Sequence, residues 1–339
     1  MFRGSYYRLV EILYRSAGRT CPDGLVRLLA SLRLVVDMLG RSGRRSVYMG
    51  HLARIFPSEG PAWRRGIMRS YWMAHQGAML GLFRASLLDP DNLDDCVEWE
   101  GRAELDGLLA GGRGVLLLAP HFGDERTMHI AMALAGYDMH VLSTDYQGAP
   151  EEVRRARLST SARTHHIAFP SDNPRWMYRA LEAGGIVQTA PTGFGGTGGT
   201  WVRSFGVPVL APSTFHRLRE ATGCAVVIAV NHILPGLRYR ICISRLDLPG
   251  DLRLASQVLF DRISDLGTAF PRQYNWMNLA IRHRETNTIA RLGFVPGDER
   301  VLEMEAVPGD DDPSSIRDLA SLPAPGREKR GRACPTSGA

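Results

Sequence analysis

Two stretches of the chain place a glycine pair between an amphipathic segment and a short apolar run. In the first, Gly111-Gly112 separates Glu104–Leu109 from Val115–Ala119, and in the second Gly184-Gly185 precedes Ile186–Ala190. Glycine commonly ends a helix because it adopts the left-handed conformation without a Cβ clash. A short, uniformly apolar run is typical of a strand buried on both faces of a parallel sheet. Repeated helix-then-strand units therefore predict an α/β fold, with a mostly parallel central sheet flanked by helices.

Other apolar runs and amphipathic segments predict the rest of this sheet and its helices. The further strands are Val97–Glu100, Met139–Ser143, Ile167–Phe169, Ala225–Val230 and Tyr239–Ile243. The further helices are Met128–Leu134, 150–162, Asn173–Leu181, Ser213–Ala221 and Leu254–Ala269. The Gly-rich stretch Thr192–Thr200 lacks the phosphate-binding glycine motifs, so it favours a mobile loop over a nucleotide site.

The composition divides the chain into three regions. Residues 1–90 have helical character, with amphipathic stretches at 6–14, 25–39 and 61–88, and residues 91–300 form the α/β domain. A basic amphipathic helix either lies in a lipid interface or packs on its own domain. Residues 301–339 are rich in Pro, Gly, Ser, Asp and Arg, which predicts a disordered tail. Because no apolar run reaches the roughly 18 residues of a membrane span, we expect a soluble or membrane-surface protein.

Charge and cysteine usage exclude some classes of protein. The formal net charge is +6, almost all of it from arginine, since Lys329 is the only lysine. This excess reflects either a coding bias or sites that grip phosphate and carboxylate groups. The five cysteines are scattered without metal-ligand spacing, which argues against a zinc site and a disulfide scaffold. No nucleic-acid-binding motif accompanies the basic charge. We therefore expect no metal or other cofactor and no nucleic-acid partner.

In the run LLLAPHFGDER, a histidine follows a predicted buried strand, and charged residues follow the histidine closely. His121 follows Val115–Ala119, and Asp124 and Glu125 come three and four residues later. Ligands of parallel α/β sheets collect at the carboxyl ends of strands. A carboxylate next to an imidazole fixes its tautomer and makes it a general base. The other interpretation is a capping histidine with its acids on a solvated face, and the local pattern leaves both open.

Five segments in matching order make the chain resemble the bacterial lipid A biosynthesis acyltransferases, the lauroyl/myristoyl transferase group. Related proteins include the phosphatidylinositol-mannoside acyltransferases. The segments are HLARIFPSEGPAWRRGIMRSYW at 51–72, GRGVLLLAPHFGDER at 112–126, NPRWMYRALEAGGIV at 173–187, SFGVPVLAPSTFHRLREATGCAVVIAV at 204–230 and PRQYNWMNL at 271–279. The resemblance implies a glycerolipid-acyltransferase-like α/β fold with a helical N-terminal region.

The resemblance also implies a catalytic histidine, with two departures from the family pattern. The family motif has a histidine followed by four residues and an acid, which makes His121 the base but puts Arg126 at the acidic position. A second acid follows the strand after the double glycine, where this chain has Thr192. Asp124 or Glu125 would then orient the imidazole of His121. The departures favour a noncatalytic acyl- or lipid-binding relative, whereas the retained His121 with adjacent acids favours an enzyme.

The reaction implied is transfer of a fatty acyl group from an acyl-carrier-protein or coenzyme A thioester to a hydroxyl of a lipid or glycolipid. The expected place is the cytoplasmic face of the inner membrane, as a peripheral protein. A further alternative is the same chemistry on a secondary-metabolite acceptor. The candidate substrate-binding residues are a glycine of the motif that contains His121, four arginines suited to phosphate and an aromatic residue suited to an acyl groove. They are Gly123, Arg126, Arg154, Arg155, Arg203 and Phe205. Solvated arginines and a core-packed Phe205 are the structural alternatives.

Overall fold

The computed structural model describes residues 42–71, 88–144, 164–169, 175–192, 199–234, 238–276, 281–283, 288–292 and 301–305. The helices are α1 (Ser42–Ile55), α2 (61–71), α3 (Leu93–Cys96), α4 (Arg102–Ala110), α5 (Glu125–Leu134), α6 (Arg175–Glu182), α7 (Thr214–Thr222) and α8 (Leu252–Ala269). The strands are β1 (Val97–Glu100), β2 (Val115–Leu118), β3 (Met139–Thr144), β4 (Thr164–Phe169), β5 (Ile186–Thr189), β6 (Gly199–Ser204), β7 (Val207–Pro212), β8 (Ala225–Ile233), β9 (Tyr239–Arg245), β10 (Ile281–His283), β11 (Thr288–Leu292) and β12 (Val301–Glu305).

A seven-stranded sheet in the order β1-β9-β8-β2-β5-β3-β4 forms the centre of the α/β fold. Strands β8, β2, β5, β3 and β4 run parallel to one another. Strand β9 is antiparallel to β8, and β1 pairs parallel with β9. The predicted α/β class and mostly parallel sheet are confirmed, with β1 and β9 as the reversed edge.

Strand β2 shows why the apolar runs become central strands. Leu116 and Leu118 pack into the core on one face of the sheet, and Val115 and Leu117 pack into the core on the other face. Successive side chains of a strand point to opposite faces, so a strand covered on both faces must be apolar throughout. Both neighbours of β2 are parallel strands, which places its carboxyl end in the middle of one sheet edge.

A second sheet, in the order β12-β11-β10-β7-β6, was not predicted. Strands β6 and β7 form a hairpin across 199–212, beginning inside the stretch that the glycine content had suggested was a loop. Glycine and proline are depleted in strands, so local composition argued against a hairpin here. Residues 301–305, assigned to the tail from their composition, pair as β12 with β11. The rest of the tail lies outside the described residues.

Helices α1 and α2 pack on the α/β domain with their apolar faces. Tyr48 and Tyr71 stack at a centroid distance of 5.3 Å, and both belong to the core that covers one face of the central sheet. The ring of His51 lies 2.8 Å, through Nδ1, from the carbonyl oxygen of Trp276. For these two helices, packing on the protein's own domain is the arrangement observed. The predicted stretches at 6–14, 25–39 and 150–162 lie outside the described residues.

None of the helices in the described part of the chain has the length and apolar character needed to cross a membrane.

Candidate active site

His121 lies three residues beyond the end of β2, at the carboxyl edge of the parallel sheet. Leu118, the last residue of β2, is in register with Thr189 on β5 and with Ile228 on β8. Strands β2 and β5 therefore end at the same level, whereas β8 continues to Ile233 beside the chain that follows β2. This edge is where α/β sheets bind ligands.

The imidazole of His121 pairs with the carboxylate of Glu125. Nδ1 of His121 lies 2.8 Å from Oε2 and 3.0 Å from Oε1 of Glu125. The two side chains are 25% and 29% exposed, so the pair is held in the protein and still open to a substrate. An imidazole that donates from Nδ1 to a carboxylate presents Nε2 as a proton acceptor. The geometry therefore suits a general base whose tautomer is set by Glu125.

Asp124 serves the helix that follows the histidine. It directly precedes α5, and its carboxylate accepts hydrogen bonds from the backbone N–H of Thr127 at 3.3 Å and from the Thr127 hydroxyl at 2.7 Å. This is the arrangement of a helix N-cap. Of the two acids considered from sequence, the structure thus brings Glu125 to the imidazole and uses Asp124 to begin the helix.

The turn between His121 and Asp124 is enclosed by protein on both sides. Phe122 is buried, with its ring 4.9 Å from that of His232 and 6.0 Å from that of Phe270. Gly123 has a φ of +58°, and a Cβ there would lie 1.8 Å from the carbonyl oxygen of Asn231. Only glycine fits this position, because it tolerates positive φ and such close backbone approach. Gly123, a candidate substrate contact from sequence, is therefore placed where it shapes the turn.

The ends of the two strands beside β2 carry buried polar side chains. Thr192 follows β5, and its hydroxyl has no hydrogen-bond partner within the described residues. Asn231, near the end of β8, is fully buried and donates from Nδ2 to the carbonyl oxygen of Asp124 at 2.6 Å. The position at which the resemblance places a second acid thus holds a buried, neutral hydroxyl.

The other candidate substrate residues lie on the β6–β7 hairpin, in α5 or outside the described residues. Arg203 is on β6, where its guanidinium lies 3.4 Å from the carbonyl oxygen of Gly206. Phe205 is at the tip of the β6–β7 hairpin and packs against Trp276 at a centroid distance of 4.8 Å. Arg126 is the second residue of α5. Arg154 and Arg155 lie in a segment that the structure does not describe.

Three residues that sequence reasoning missed complete the surroundings of His121. The backbone N–H of Asn275 donates to the carbonyl oxygen of His121 at 2.9 Å, and the N–H of Gly123 donates to the carbonyl oxygen of Gln273 at 2.9 Å. The third residue is Asn231, whose side-chain amide donates to the carbonyl oxygen of Asp124. In the sequence, the polar pair Asn231-His232 interrupts an apolar strand, and this interruption was the one signal that pointed to Asn231. The segment 273–275 lies within the stretch PRQYNWMNL that contributes to the family resemblance, but its contacts with the turn are made by the backbone, so its side chains did not predict them.

Among the described residues, no group of three or more His, Cys, Asp or Glu side chains is arranged to hold a metal ion.

Comparison with known protein families gives a match over most of the chain. The model of the family described as "Bacterial lipid A biosynthesis acyltransferase" matches residues 28–278, which include β2, His121, Glu125 and the segment 273–275. No curated protein was found to match the chain. Because the family model spans most of its length, the chain belongs to the bacterial lipid A biosynthesis acyltransferase family and is an acyltransferase, an enzyme with an acyl donor and a lipid acceptor.

Proposed function

We propose that the protein transfers a fatty acyl group from an acyl-carrier-protein or coenzyme A thioester to a hydroxyl of a lipid or glycolipid, with His121 as general base. The observation that carries this proposal is the 2.8 Å contact between Nδ1 of His121 and Oε2 of Glu125. Membership of the family indicates an acyl donor and a lipid acceptor. The thioester as the donor and the hydroxyl as the accepting group are part of our proposal.

In the proposed reaction, the acceptor hydroxyl attacks the thioester carbonyl while Nε2 of His121 takes its proton. The resulting imidazolium donates from Nδ1 to Glu125, and the negative charge of the carboxylate stabilises it. The tetrahedral intermediate then collapses, the carbon–sulfur bond breaks, and the thiolate takes the proton from Nε2. The products are an ester and a free thiol. A base of this kind accelerates such a step about 100- to 10,000-fold.

The acceptor attacks directly in this scheme, so no acyl-enzyme is required. His121 and Glu125 are 25% and 29% exposed, so substrates can reach the pair from solvent. Glu125 keeps the ring in one tautomer between turnovers, and a ring in the other tautomer would present a proton where a lone pair is needed.

The proposed place of action is the cytoplasmic face of the inner membrane, with the protein bound peripherally. Helix α2 supports this proposal because Arg65 and Arg69 are exposed one turn apart, while Ile67 and Met68 are buried against the domain. Arginines on an exposed helix face attract anionic headgroups at roughly 1 kcal/mol each near the surface. The net charge of +6 acts in the same direction.

The reaction is tested by release of free thiol from acyl-carrier-protein and coenzyme A thioesters of several chain lengths, with membrane lipid extract as acceptor. We expect thiol release and acylated lipid with the wild type, and loss of at least about 100-fold in His121→Ala. His216→Ala is the matched control, since that imidazole lies on α7 and contacts the carbonyl oxygen of Gly250. Equal rates for wild type and His121→Ala would overturn the proposal.

Membrane binding is tested by co-sedimentation with vesicles of neutral and anionic phospholipid. Arg65→Glu/Arg69→Glu should release the protein from anionic vesicles. The control, Arg113→Glu/Arg217→Glu, makes the same change in net charge at two exposed arginines elsewhere on the domain. Equal binding of the two double variants would contradict a role for α2.

A further inference from the structure

We infer that Asn231 is a positioning residue for the proposed reaction and holds Glu125 against the imidazole of His121. The side-chain amide of Asn231 donates to the carbonyl oxygen of Asp124 at 2.6 Å. That carbonyl belongs to the peptide group that joins Asp124 to Glu125. The bond therefore anchors the backbone directly before Glu125 to strand β8. The inference rests on the proposed function, in which Glu125 sets the tautomer of the base.

Asn231 also holds the turn through its backbone. The carbonyl oxygen of Asn231 accepts a hydrogen bond from the N–H of Asp124 at 3.3 Å. Gly123 and Asn231 also form an isolated parallel β-bridge. The absence of a Cβ at Gly123 allows this approach, since a Cβ would lie 1.8 Å from the same oxygen. The backbone N–H and the backbone carbonyl of Asp124 are thus both hydrogen-bonded to Asn231 of β8.

The position of Glu125 needs such support because its side chain is partly exposed. A carboxylate on a flexible three-carbon arm loses conformational entropy when one geometry is imposed on it. Fixing the backbone at Asp124 restricts the arc that the Glu125 carboxylate can reach. Helix α5 begins at Glu125, so the hydrogen bonds of the Asp124 carboxylate to Thr127 and the hydrogen bond from the Asn231 amide both fix the first turn of this helix.

Burial of Asn231 favours a functional role over packing alone. The side chain is 0% exposed, and its Oδ1 has no hydrogen-bond partner within the described residues. A buried acceptor without a partner destabilises a fold, whereas an apolar side chain of similar size would not carry that cost. The alternative orientation of the amide would place Oδ1 against the Asp124 carbonyl oxygen, which is repulsive. The donated bond to Asp124 is what the asparagine supplies.

The test reads the tautomer of His121 without any substrate. The ring nitrogens of ¹⁵N-histidine-labelled protein are observed by NMR at about pH 9, where imidazoles carry one ring proton. The His121 signals are assigned by their absence in His121→Gln. We expect the proton on Nδ1 in the wild type, and a shift toward the Nε2-protonated form in Glu125→Gln, Asn231→Ala and Asn231→Asp. The aspartate variant keeps the volume of the side chain and removes its donor.

Val230→Ala is the matched control, because Val230 is the buried neighbour on β8 whose side chain lies in the core on one face of the sheet. It should retain the wild-type tautomer. In thiol-release assays the Asn231 variants should lower kcat about 10- to 100-fold, with the KM for the donor within about twofold. A merely structural role would leave the tautomer of His121 in the folded protein unchanged.

The outcomes separate this inference from the proposed function. A tautomer shift in folded Asn231 variants supports the positioning role even if no thioester is consumed, in which case the proposed reaction alone fails. Wild-type ring signals in folded Asn231→Asp overturn the positioning role even if the enzyme is active. Loss of folding in both Asn231 variants also overturns it, because the residue would then serve the fold.

Discussion

Nδ1 of His121 lies 2.8 Å from Oε2 of Glu125, although only Glu125 belongs to a helix. Residues four apart meet readily within one helix. Here the histidine precedes the helix, and the turn at Gly123, with its φ of +58°, folds the chain so that the two side chains meet. The pair therefore depends on backbone geometry that two other segments of the fold, β8 and residues 273–275, maintain.

Replacing Glu125 by Gln should lower kcat about 10- to 100-fold, because the amide is uncharged and stabilises the imidazolium less. Glu125→Asp should be intermediate, since its carboxylate is one methylene farther from Nδ1. Steady-state thiol release measures both. Glu220→Gln, an exposed glutamate on α7, is the control. Full activity in Glu125→Gln would mean that the 2.8 Å contact has no catalytic role.

Asp124→Ala should destabilise the protein by about 0.5–2 kcal/mol, whereas Asp124→Asn should be nearly neutral. Asparagine can still accept the hydrogen bond from the Thr127 N–H that Asp124 accepts at 3.3 Å. Urea unfolding gives the stability and thiol release gives the activity. If Asp124→Asn lost activity as severely as Glu125→Gln at full stability, Asp124 would have to be counted as a second partner of the base.

Gly123→Ala should inactivate the enzyme and destabilise it more than Gly112→Ala does. Both glycines have positive φ, at +58° and +75°, so the conformational cost of a Cβ is similar. Gly112 has no atom within 4 Å of the added Cβ, whereas Gly123 would place it 1.8 Å from the carbonyl oxygen of Asn231. The difference in thermal stability between the two variants measures the destabilisation caused by the steric clash with Asn231. Equal losses would show that the turn can move away from β8.

Phe205→Gly should destabilise the protein less than Phe205→Ala. Phe205 and Gly206 are the two central residues of the β6–β7 hairpin, with φ of 51° and 76°, as a type I′ turn requires. Both variants lose the ring packed on Trp276 and Tyr274. Only glycine also removes the cost of about 1 kcal/mol for a side chain in this conformation. Chemical denaturation compares them, and the reverse order would mean that the turn is not strained.

Asp261→Asn should stabilise the protein at neutral pH, and the gain should disappear in acid. Burial raises the pKa of Asp261, the hydrogen bond from Gln257 lowers it in part, and the charge of Asp265 raises it further. The folded state therefore resists ionisation. That cost is present above the folded-state pKa and vanishes below the unfolded value of about 3.9.

The gain should stay below about 1 kcal/mol because the half-buried carboxyl is screened by solvent. Melting temperatures of wild type and variant from about pH 3 to pH 8 measure it, with Asp265→Asn, on the same face of α8, as the comparison. A difference that is constant over this range would show that ionisation of Asp261 is not its source.

Local patterns in the sequence determined the central sheet and its helices. The apolar run at 115–118 and the glycine pairs that precede it and β5 are local signals, because a doubly covered strand must be apolar and a helix end favours glycine. The same reasoning placed His121 at a strand's carboxyl end. It missed the β6–β7 hairpin, whose glycine and proline content opposes a strand and whose stability comes from packing on α8, where Gln257 and Ser264 bond to Arg203 and Phe205.

Sequence alone thus determined that a histidine with two nearby acids would stand at the edge of a parallel α/β sheet. Only the tertiary structure decided which acid meets the imidazole. Asn231, Gln273 and Asn275 lie more than 100 residues from His121 in the chain, and their hydrogen bonds to the turn set its path. That path places Asp124 at the start of α5 and Glu125 beside Nδ1, because a backbone held on both sides leaves the intervening residues few conformations.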